Sequence, residues 1–520
     1  MKHTLNDYIT LLSENSLIEK LKLADPSAAV ETVTYNSKEV GKNTLFICKG
    51  AHFKEEYLNE ALSRGAFCYL SETEYAADAD CIVVSDIRRA MALVFDCFYD
   101  SVWKNIDLIG ITGTKGKSTT TYFIKYILDE YLKSENRPSC AYISSIDTYD
   151  GTEKFESHLT TPEVGELYKH FSNAVNAKIP YLVMEVSSQA LKYDRVYGVG
   201  FDIGVSLNIG VDHISSVEHS DFDDYFASKM KLFSHCKRAC VSLDTLRCDE
   251  VLAAASVCEK VITFSTTDEK ADVFAYNIHK SGNDTVFTVR TPDYTEEITL
   301  TIPGLFNVQN ALAAISVCLL LGIPKHFVYV GLMKARSSGR MESYANADNS
   351  VVAIVDYAHN KLSFECLYDS VTNEFPGRRI VTVFGCPGGK AFQRRKDLGE
   401  LAGKYSDFVY ITEEDPGEEP LMQICEQIAE HVAAQGSAYE IEPDRGEAIR
   451  KAILSSGRET VVLITGKGNE TRQKRGTKYV PCETDVAYVK KYLKEFDVEH
   501  KIDASEKISG FQSVLPAFRK

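Results

Sequence analysis

The sequence predicts an α/β protein of three domains: a small N-terminal α/β domain over residues 1–105, a central doubly wound domain over 106–335 and a Rossmann-like C-terminal domain over 336–520. Three observations lead there. A chain of 520 residues is too long for one ordinary core and suggests about three. Short apolar strands alternate with helical patterns along most of it, the pattern of mainly parallel sheets. A glycine-rich turn joins one such strand to a helix just after residue 110.

In the first domain, the strands Thr44 to Cys48 and Cys81 to Val84 flank a helical pattern from Glu55 to Arg64, and the single tryptophan, Trp103, lies near its end. The second opens on a buried strand, Ile106 to Ile111, and continues with strands at Tyr181 to Met184 and Phe201 to Leu207. Pro303-Gly304 turns into a helical run from Asn307 to Leu321. After a turn at Ser337 to Gly339, strands recur at Val351 to Val355, Arg379 to Phe384, Phe408 to Ile411 and Thr460 to Thr465, each followed by turn residues and a helical pattern. That rhythm predicts a second Rossmann-like sheet.

The most specific local pattern is Gly110-Ile111-Thr112-Gly113-Thr114-Lys115-Gly116-Lys117-Ser118-Thr119-Thr120. Glycines let the backbone wrap phosphate oxygens, and a helix N-terminus adds positive potential. Gly113 to Thr119 are therefore the candidate phosphate cradle, with Lys117 reaching the β- and γ-phosphates and the Ser118 hydroxyl on Mg²⁺. Ile111 stands at the first glycine of the general G-x-x-x-x-G-K-[ST] pattern, so the motif reads better as G-T-x-G-K-S. Such a turn serves GTPase switches, kinases and motors as well. A guanine-specifying Asn-Lys-x-Asp is absent, since Asn360-Lys361-Leu362-Ser363 lacks the aspartate.

Two further strand ends carry chemistry, and ligands of doubly wound sheets bind at strand C-termini. Tyr181 to Met184 leads into Glu185-Val186-Ser187-Ser188. A hard cation takes oxygen ligands, which makes Ser118 and Glu185 a candidate Mg²⁺ pair. Ile203 to Leu207 leads into Asn208-Ile209-Gly210-Val211-Asp212-His213, and His213 is a candidate to ligate a second Mg²⁺ or to orient phosphate.

Composition narrows the class. With 74 acidic against 58 basic residues the formal net charge is −16, the wrong sign for a nucleic-acid binder. The 14 cysteines show no C-x-x-C pair and are expected to be reduced. No signal peptide is recognisable after Met1-Lys2-His3-Thr4, and no run approaches the roughly 18 apolar residues of a membrane span. A cytoplasmic protein without membrane insertion is expected, and a monomer.

Taken in order, these and further segments resemble the Mur ligases over nearly the whole chain, most closely the branch that adds the third peptide residue. The segments are Gly113 to Ser118, Thr160-Thr161-Pro162-Glu163, Glu185 to Leu191 with Arg195, Asn208 with Asp212 and His213, and Lys229 to Phe233. They continue with Asn307 to Ala314, Gly339-Arg340-Met341-Glu342, Asp356-Tyr357-Ala358-His359 and Gly466-Lys467-Gly468-Asn469-Glu470. In the N-terminal domain Asn36-Ser37-Lys38 stands where the family has Asp-Ser-Arg, so only Ser37 is retained.

The resemblance implies a cytoplasmic ATP- and Mg²⁺-dependent ligase of peptidoglycan precursor synthesis. It would phosphorylate the D-glutamate carboxylate of UDP-N-acetylmuramyl-L-alanyl-D-glutamate and join an amino acid to it. Ser37, Thr160, Thr161, Ser187 and Arg195 would hold the muramyl substrate. Asn310, Arg340 and Asp356 would join the cradle in holding ATP. Lys229 would be carbamylated (N6-carboxylysine) and, with His213, hold a second Mg²⁺, while Lys117 and Mg²⁺ stabilise the transferring phosphoryl. The residues arriving from the C-terminal domain imply that catalysis requires domain closure.

The amino acid follows from Glu413-Glu414-Asp415-Pro416-Gly417-Glu418-Glu419-Pro420. Relatives that add meso-diaminopimelate carry Asp-Asn-Pro-Arg there, whose arginine grips a distal carboxylate. Here Gly417 stands in its place, and Asp415 and Glu470 with their acidic neighbours suit a distal ammonium, so L-lysine is expected. Meso-diaminopimelate, L-ornithine and a non-catalytic nucleotide-binding scaffold stay open as alternatives. Folylpolyglutamate synthetases share the loop, but here more than 100 residues precede it. The polar tail from Ile502 to Lys520 reads as a terminal helix or a frayed end.

Overall fold

A computed structural model of the protein describes residues 3–50, 53–210, 214, 218–281, 284–302, 304, 306–335 and 342–500, apart from the side chains of Leu362 and Cys366. Asp212, His213, Arg340 and the tail from Ile502, all singled out above, lie outside the described residues. The chain forms two compact units. One is Met1–Asn277 with Phe287–Thr299 and Gln309–Ala335, the other Ile278–Val286 with Leu300–Val308 and Arg336–Lys520.

The first unit opens with a five-stranded sheet in the order Ile18–Lys22, Asp80–Val84, Ala66–Ser71, Thr44–Ile47, Thr32–Thr34. Its outermost pair, Ile18–Lys22 with Asp80–Val84, is antiparallel and the rest are parallel. The helix Ile87–Phe98 starts where the Asp86 carboxylate accepts from the N–H groups of Arg88 and Arg89, an N-cap that satisfies orphan donors. Its apolar face, with Met91, Val94 and Phe95, shares one core cluster with Tyr168 and Phe171 of the helix Val164–Asn176.

In the same unit the strand Asp107–Thr112 runs parallel between Tyr181–Glu185 and Phe201–Ser206, with Ile111 beside both Glu185 and Val205. Cys236–Ser242 and Lys260–Ser265 extend the sheet on one side and Ala141–Ile143 on the other. These strands read as nearly unbroken apolar runs because a parallel sheet is covered on both faces. The strand Asp107–Thr112 has later strands on both flanks. That is a topological switch point, where the strand ends open a crevice.

The helix Lys117–Ser134 follows directly and buries Thr120, Phe123, Ile124, Ile127 and Leu128. Against it lies the helix Lys325–Lys334, which approaches so closely at Gly331 that a Cβ there would stand 2.4 Å from Ile127 Cα. The helix Asn307–Leu321 is apolar nearly all round, as a core helix must be. No helix among the described residues is long and apolar enough to cross a membrane.

The second unit carries a six-stranded sheet in the order Glu342–Ala345, Val351–Asp356, Thr460–Thr465, Arg379–Phe384, Phe408–Ile411, Ala438–Ile441. Only the first pair is antiparallel. Val352 and Ile354 face a core built with the helices Lys361–Glu374, Gln393–Tyr405 and Leu421–Ala434. Val351, Ala353 and Val355 face the opposite core, under Arg445–Leu454 and Asp485–Glu499. The alternation follows the two-residue period of a strand. The predicted strands Arg379–Phe384, Phe408–Ile411 and Thr460–Thr465 recur with the same ends. The antiparallel edge strand and the hairpin Arg472–Arg475 with Lys478–Pro481 are additions to the sequence reading.

Gly331→Ala is expected to destabilise the first unit by about 2 kcal/mol, because the new methyl meets backbone rather than a side chain able to rotate. Thermal unfolding followed by circular dichroism checks this. An unchanged midpoint would mean that the two helices separate without cost.

Candidate active site

The phosphate-binding turn is built by close approach. A Cβ at Gly113 would stand 2.9 Å from Leu207 Cβ, and one at Gly116, where φ is +85°, would fall 2.1 Å from Asn310 Oδ1. Only glycine fits either position. The turn is tied to the next strand end. Thr114 N–H donates to Asn208 O at 2.7 Å, Lys115 N–H to Asn208 Oδ1 at 2.9 Å, and Asn208 Nδ2 to Lys115 O at 3.1 Å. Thr114 Oγ1 accepts from Gly210 N–H at 2.9 Å and lies 3.0 Å from the Tyr225 hydroxyl. Lys117 Nζ folds back onto Gly113 O at 2.9 Å and Thr114 O at 3.3 Å. Thr119 and Asn310 are buried, and Thr120 Oγ1 donates to Asn310 Oδ1 at 3.4 Å.

Ser118 is on the first turn of the helix and Glu185 ends the neighbouring strand, both buried. Ser145 comes between them, its Oγ 3.0 Å from Ser118 Oγ, while its N–H donates to Glu185 Oε1 at 2.8 Å. Hydroxyl and carboxylate oxygens converging beside a phosphate-binding turn suit a hard divalent cation.

Lys229 closes this region from the helix Phe222–Met230. It is 1% exposed, which excludes a solvated helix lysine. Its Nζ donates to Gly113 O at 2.9 Å and lies 4.6 Å from the centre of the Tyr225 ring. One peptide carbonyl of the turn thus accepts from two lysines, Lys117 and Lys229.

Thr161 sits beside the same strand end. Its hydroxyl donates to Glu185 O at 2.9 Å and accepts from Ser187 N–H at 3.0 Å. Ser187 caps the short helix Ser188–Lys192 through Ala190 N–H, and Thr160 is half-buried alongside. Arg195 donates to Thr161 O at 3.1 Å and pairs with Glu163 at 2.8 Å. Lys49, over the Tyr35 ring, reaches the same carboxylate. Burial raises the Glu163 pKa, but the Lys49 hydrogen bond and the charges of Arg195 and Lys49 overcome it, and the group is held low. Ser37, on the opening sheet's side of the unit, is buried and donates to Glu60 Oε2 at 2.6 Å.

The second unit presents its own cluster. Asp356 ends a strand and caps the following turn, accepting from Ala358 N–H at 2.6 Å. In the loop after Phe408–Ile411, Glu413 is paired with Arg475 at 2.7 Å. Asp415 Oδ1 and Glu470 Oε2 converge instead on one buried ammonium, Lys467, 3.0 Å from Asp415. Arg472 O accepts from the same ammonium at 2.8 Å. Burial pulls Lys467 down, yet Glu470 and Asp415 more than offset it and its pKa is raised. Gly417 adopts a left-handed φ of +59°, and its N–H donates to Lys474 O at 3.1 Å. Beneath the loop, Arg445 grips Asp485 through two bonds of 2.7 Å and also donates to Glu413 O and Thr465 O.

The fold thus gathers Gly113 to Thr119, Asn310, Glu185, Lys229, Thr161, Ser187 and Arg195 in the first unit; in the second it brings Asp415 and Glu470 together on Lys467, and Asp356 ends a strand of the same unit. His213 and Arg340 lie outside the described residues. Sequence reasoning missed Ser145, Tyr225 and Lys467 as an ammonium inside the acidic cluster. Ser145 and Tyr225 fall in no motif, and Lys467, though inside the Gly466 to Glu470 segment, carries no sign in the sequence of where its ammonium points.

Comparison with known proteins agrees with this geometry. Residues 111–318 match the Mur ligase middle domain and residues 339–468 the Mur ligase glutamate ligase domain. The UDP-N-acetylmuramoyl-L-alanyl-D-glutamate--L-lysine ligase of Enterococcus faecalis is 37% identical over 472 residues, 89% of this chain and 92% of that one. A UDP-N-acetylmuramyl-tripeptide synthetase of Ligilactobacillus salivarius is 35% identical over 94% of this chain and 98% of its own. In three dimensions the fold is similar to that of a UDP-N-acetylmuramoyl-L-alanyl-D-glutamate--2,6-diaminopimelate ligase, with a TM-score of 0.66 at 22% identity over 96% of this chain and 100% of that one.

Glu414 makes the second cluster pH-sensitive. Burial pushes its carboxyl up to about 7, against the opposing charge of Arg445. A raised carboxyl pKa stabilises the fold when protonated, so this contribution is complete below about pH 4.3 and is lost as pH rises through about 7. Glu414→Gln, which stays uncharged, is expected to gain on the unsubstituted protein between pH 5 and pH 8, by on the order of 3 kcal/mol at most. Thermal melts of both proteins across that range test it. A difference that does not change with pH would mean that Glu414 does not titrate there.

Proposed function

The chain belongs to the Mur ligase family, and we propose that it joins L-lysine to the D-glutamate of UDP-N-acetylmuramyl-L-alanyl-D-glutamate at the expense of ATP. The observation that carries the reading is Lys229, a lysine buried against the Gly113 carbonyl of the phosphate-binding turn. In this reading residues 1–105 take the UDP-muramyl substrate, 106–335 the nucleotide and 336–520 the amino acid.

The chemistry is substitution at phosphorus, then at carbon. A γ-carboxylate oxygen of the D-glutamate attacks the γ-phosphorus of ATP, and ADP leaves. The amine of the incoming amino acid, having lost its proton, then attacks the acyl carbon. The C–O bond to phosphate breaks, and inorganic phosphate departs with the electron pair. Lys117 and the amides of Gly113 to Thr119 hold and neutralise the phosphates, with Asn310, Arg340 and Asp356 completing the nucleotide contacts. Thr160, Thr161, Ser187, Arg195 and Ser37 align the muramyl substrate, which brings the reacting atoms together.

Ser118 and Glu185 would hold Mg²⁺, since both are buried oxygen donors beside the turn. Carbamylated Lys229 and His213 would hold a second ion. The bound metal would supply charge neutralisation for the transferring phosphoryl. An uncarbamylated ammonium has no lone pair to offer a cation.

Specificity for lysine is supported by the way Asp415 and Glu470 already enclose an ammonium, that of Lys467. A distal carboxylate in the same place would face two like charges. Of the arginines near the cluster, Arg475 is paired with Glu413 and Arg445 with Asp485. The protein would act in peptidoglycan precursor synthesis, in the cytoplasm, as a monomer.

Phosphate release with ATP, Mg²⁺, UDP-N-acetylmuramyl-L-alanyl-D-glutamate and one amino acid tests the reading. L-lysine is expected to support turnover at least about 100-fold better than meso-diaminopimelate or L-ornithine, and Lys229→Ala to lower kcat by about 100-fold or more. Turnover with meso-diaminopimelate instead would overturn the specificity assignment. No turnover with any of the three would favour a nucleotide-binding scaffold.

A further inference from the structure

Ser118 and Glu185 belong to different elements, and Ser145, from the turn after Ala141–Ile143, connects them. The Ser145 N–H donates to Glu185 Oε1 at 2.8 Å, and its hydroxyl reaches the same oxygen at 3.3 Å. Both bonds fall on Oε1, and Oε2 receives none among the described residues. The direction of the protons then follows. An ionised carboxylate only accepts, so the single hydroxyl proton of Ser145 points at Glu185. The 3.0 Å contact between Ser145 Oγ and Ser118 Oγ must therefore carry the Ser118 proton. Ser118 is left with its lone pairs turned away from its own hydrogen bond.

The turn that carries Ser145 is itself anchored to the helix of Ser118. Ser144 Oγ donates to Asp147 O at 2.9 Å and accepts from the N–H groups of Ile146 and Asp147 at 3.1 Å each. The Asp147 carboxylate accepts from the Tyr142 hydroxyl at 2.8 Å and from the Tyr122 hydroxyl. Tyr122 lies four residues after Ser118, on the same face of the helix Lys117–Ser134. Ser118 and Tyr122 thus hold the turn at two points one helical turn apart.

We propose that Ser145 is a positioning residue that presents the Ser118 oxygen and Glu185 Oε2 to a divalent cation bound with the nucleotide, without being a ligand itself. The inference rests on the assignment of Mg²⁺ to Ser118 and Glu185. Removing the Ser145 hydroxyl leaves both candidate ligands in the chain but frees the Ser118 proton and loosens the carboxylate, so metal affinity falls while the phosphate cradle is untouched. Outer partners of metal ligands have effects of 10- to 100-fold.

Binding of ADP by the full chain, measured calorimetrically with EDTA and then at increasing Mg²⁺, tests this without turnover. For Ser145→Ala, ADP affinity in EDTA is expected to stay within about twofold of the unsubstituted protein, and the Mg²⁺ midpoint to rise about tenfold. Ser145→Thr is expected to restore it. In a Glu185→Gln background, Ser145→Ala is expected to raise the Mg²⁺ midpoint by less than it does alone, because only the Ser118 contact is then left to lose. An unshifted Mg²⁺ midpoint in Ser145→Ala, or loss of ADP binding already in EDTA, would overturn the positioning role, the second by showing that the hydroxyl merely shapes the turn. If ADP binding by the unsubstituted protein does not respond to Mg²⁺, it is the metal assignment that fails.

Discussion

The carbonyl of Gly113 is the point on which the rest of the first unit's site depends. Two ammonium groups, those of Lys117 and Lys229, donate to this one acceptor from helices at either end of a long stretch of chain. Bringing both there requires a turn with no Cβ at Gly113 or Gly116, a strand end at Leu207 packed against it, and the buried helix of Asn310 behind it. The polar groups that line the region, Thr114, Asn208 and Tyr225, are spent on holding the turn in shape.

The second unit is organised around a different charge. The Arg445 guanidinium is buried and donates both to Asp485 and to two backbone carbonyls, Glu413 O and Thr465 O. Asp485 in turn accepts from Gly468 N–H at 3.0 Å. One planar group therefore fixes the two loops that carry Asp415 and Glu470. A planar fork with five donors can do this where a lysine could not.

Much of this was legible in the sequence because it is local. Apolar runs bounded by turn residues gave strands at Ile106 to Ile111, Tyr181 to Met184 and Phe201 to Leu207, within one residue of the observed Asp107–Thr112, Tyr181–Glu185 and Phe201–Ser206, and a carboxylate at the end of a strand beside the phosphate-binding turn could be placed from parallel topology alone. The partners of those groups were not legible. Ser145 is 27 residues from Ser118 and 40 from Glu185, and their meeting depends on how three elements pack. Lys467 falls inside a recognisable Gly466-Lys467-Gly468 turn, yet nothing in the string says that its ammonium folds back between Asp415 and Glu470. Lys229 is a case of context overriding type. By residue type alone it reads as a solvated helix lysine; the family resemblance singles it out, and the structure buries it against the turn.

Lys467 has a further consequence for how the second cluster would meet a guest. Its ammonium is a resident occupant, tethered at hydrogen-bond distance from the carboxylates and so present at an effective concentration far above that of a free metabolite. An incoming cation must share or take over contacts that are already made. Binding strength then measures the difference between guest and resident rather than the full attraction of two carboxylates, which blunts the pull on any stray cation. What remains to discriminate one amine from another is reach and shape, so the cluster would act as a ruler for side-chain length more than as a trap for charge.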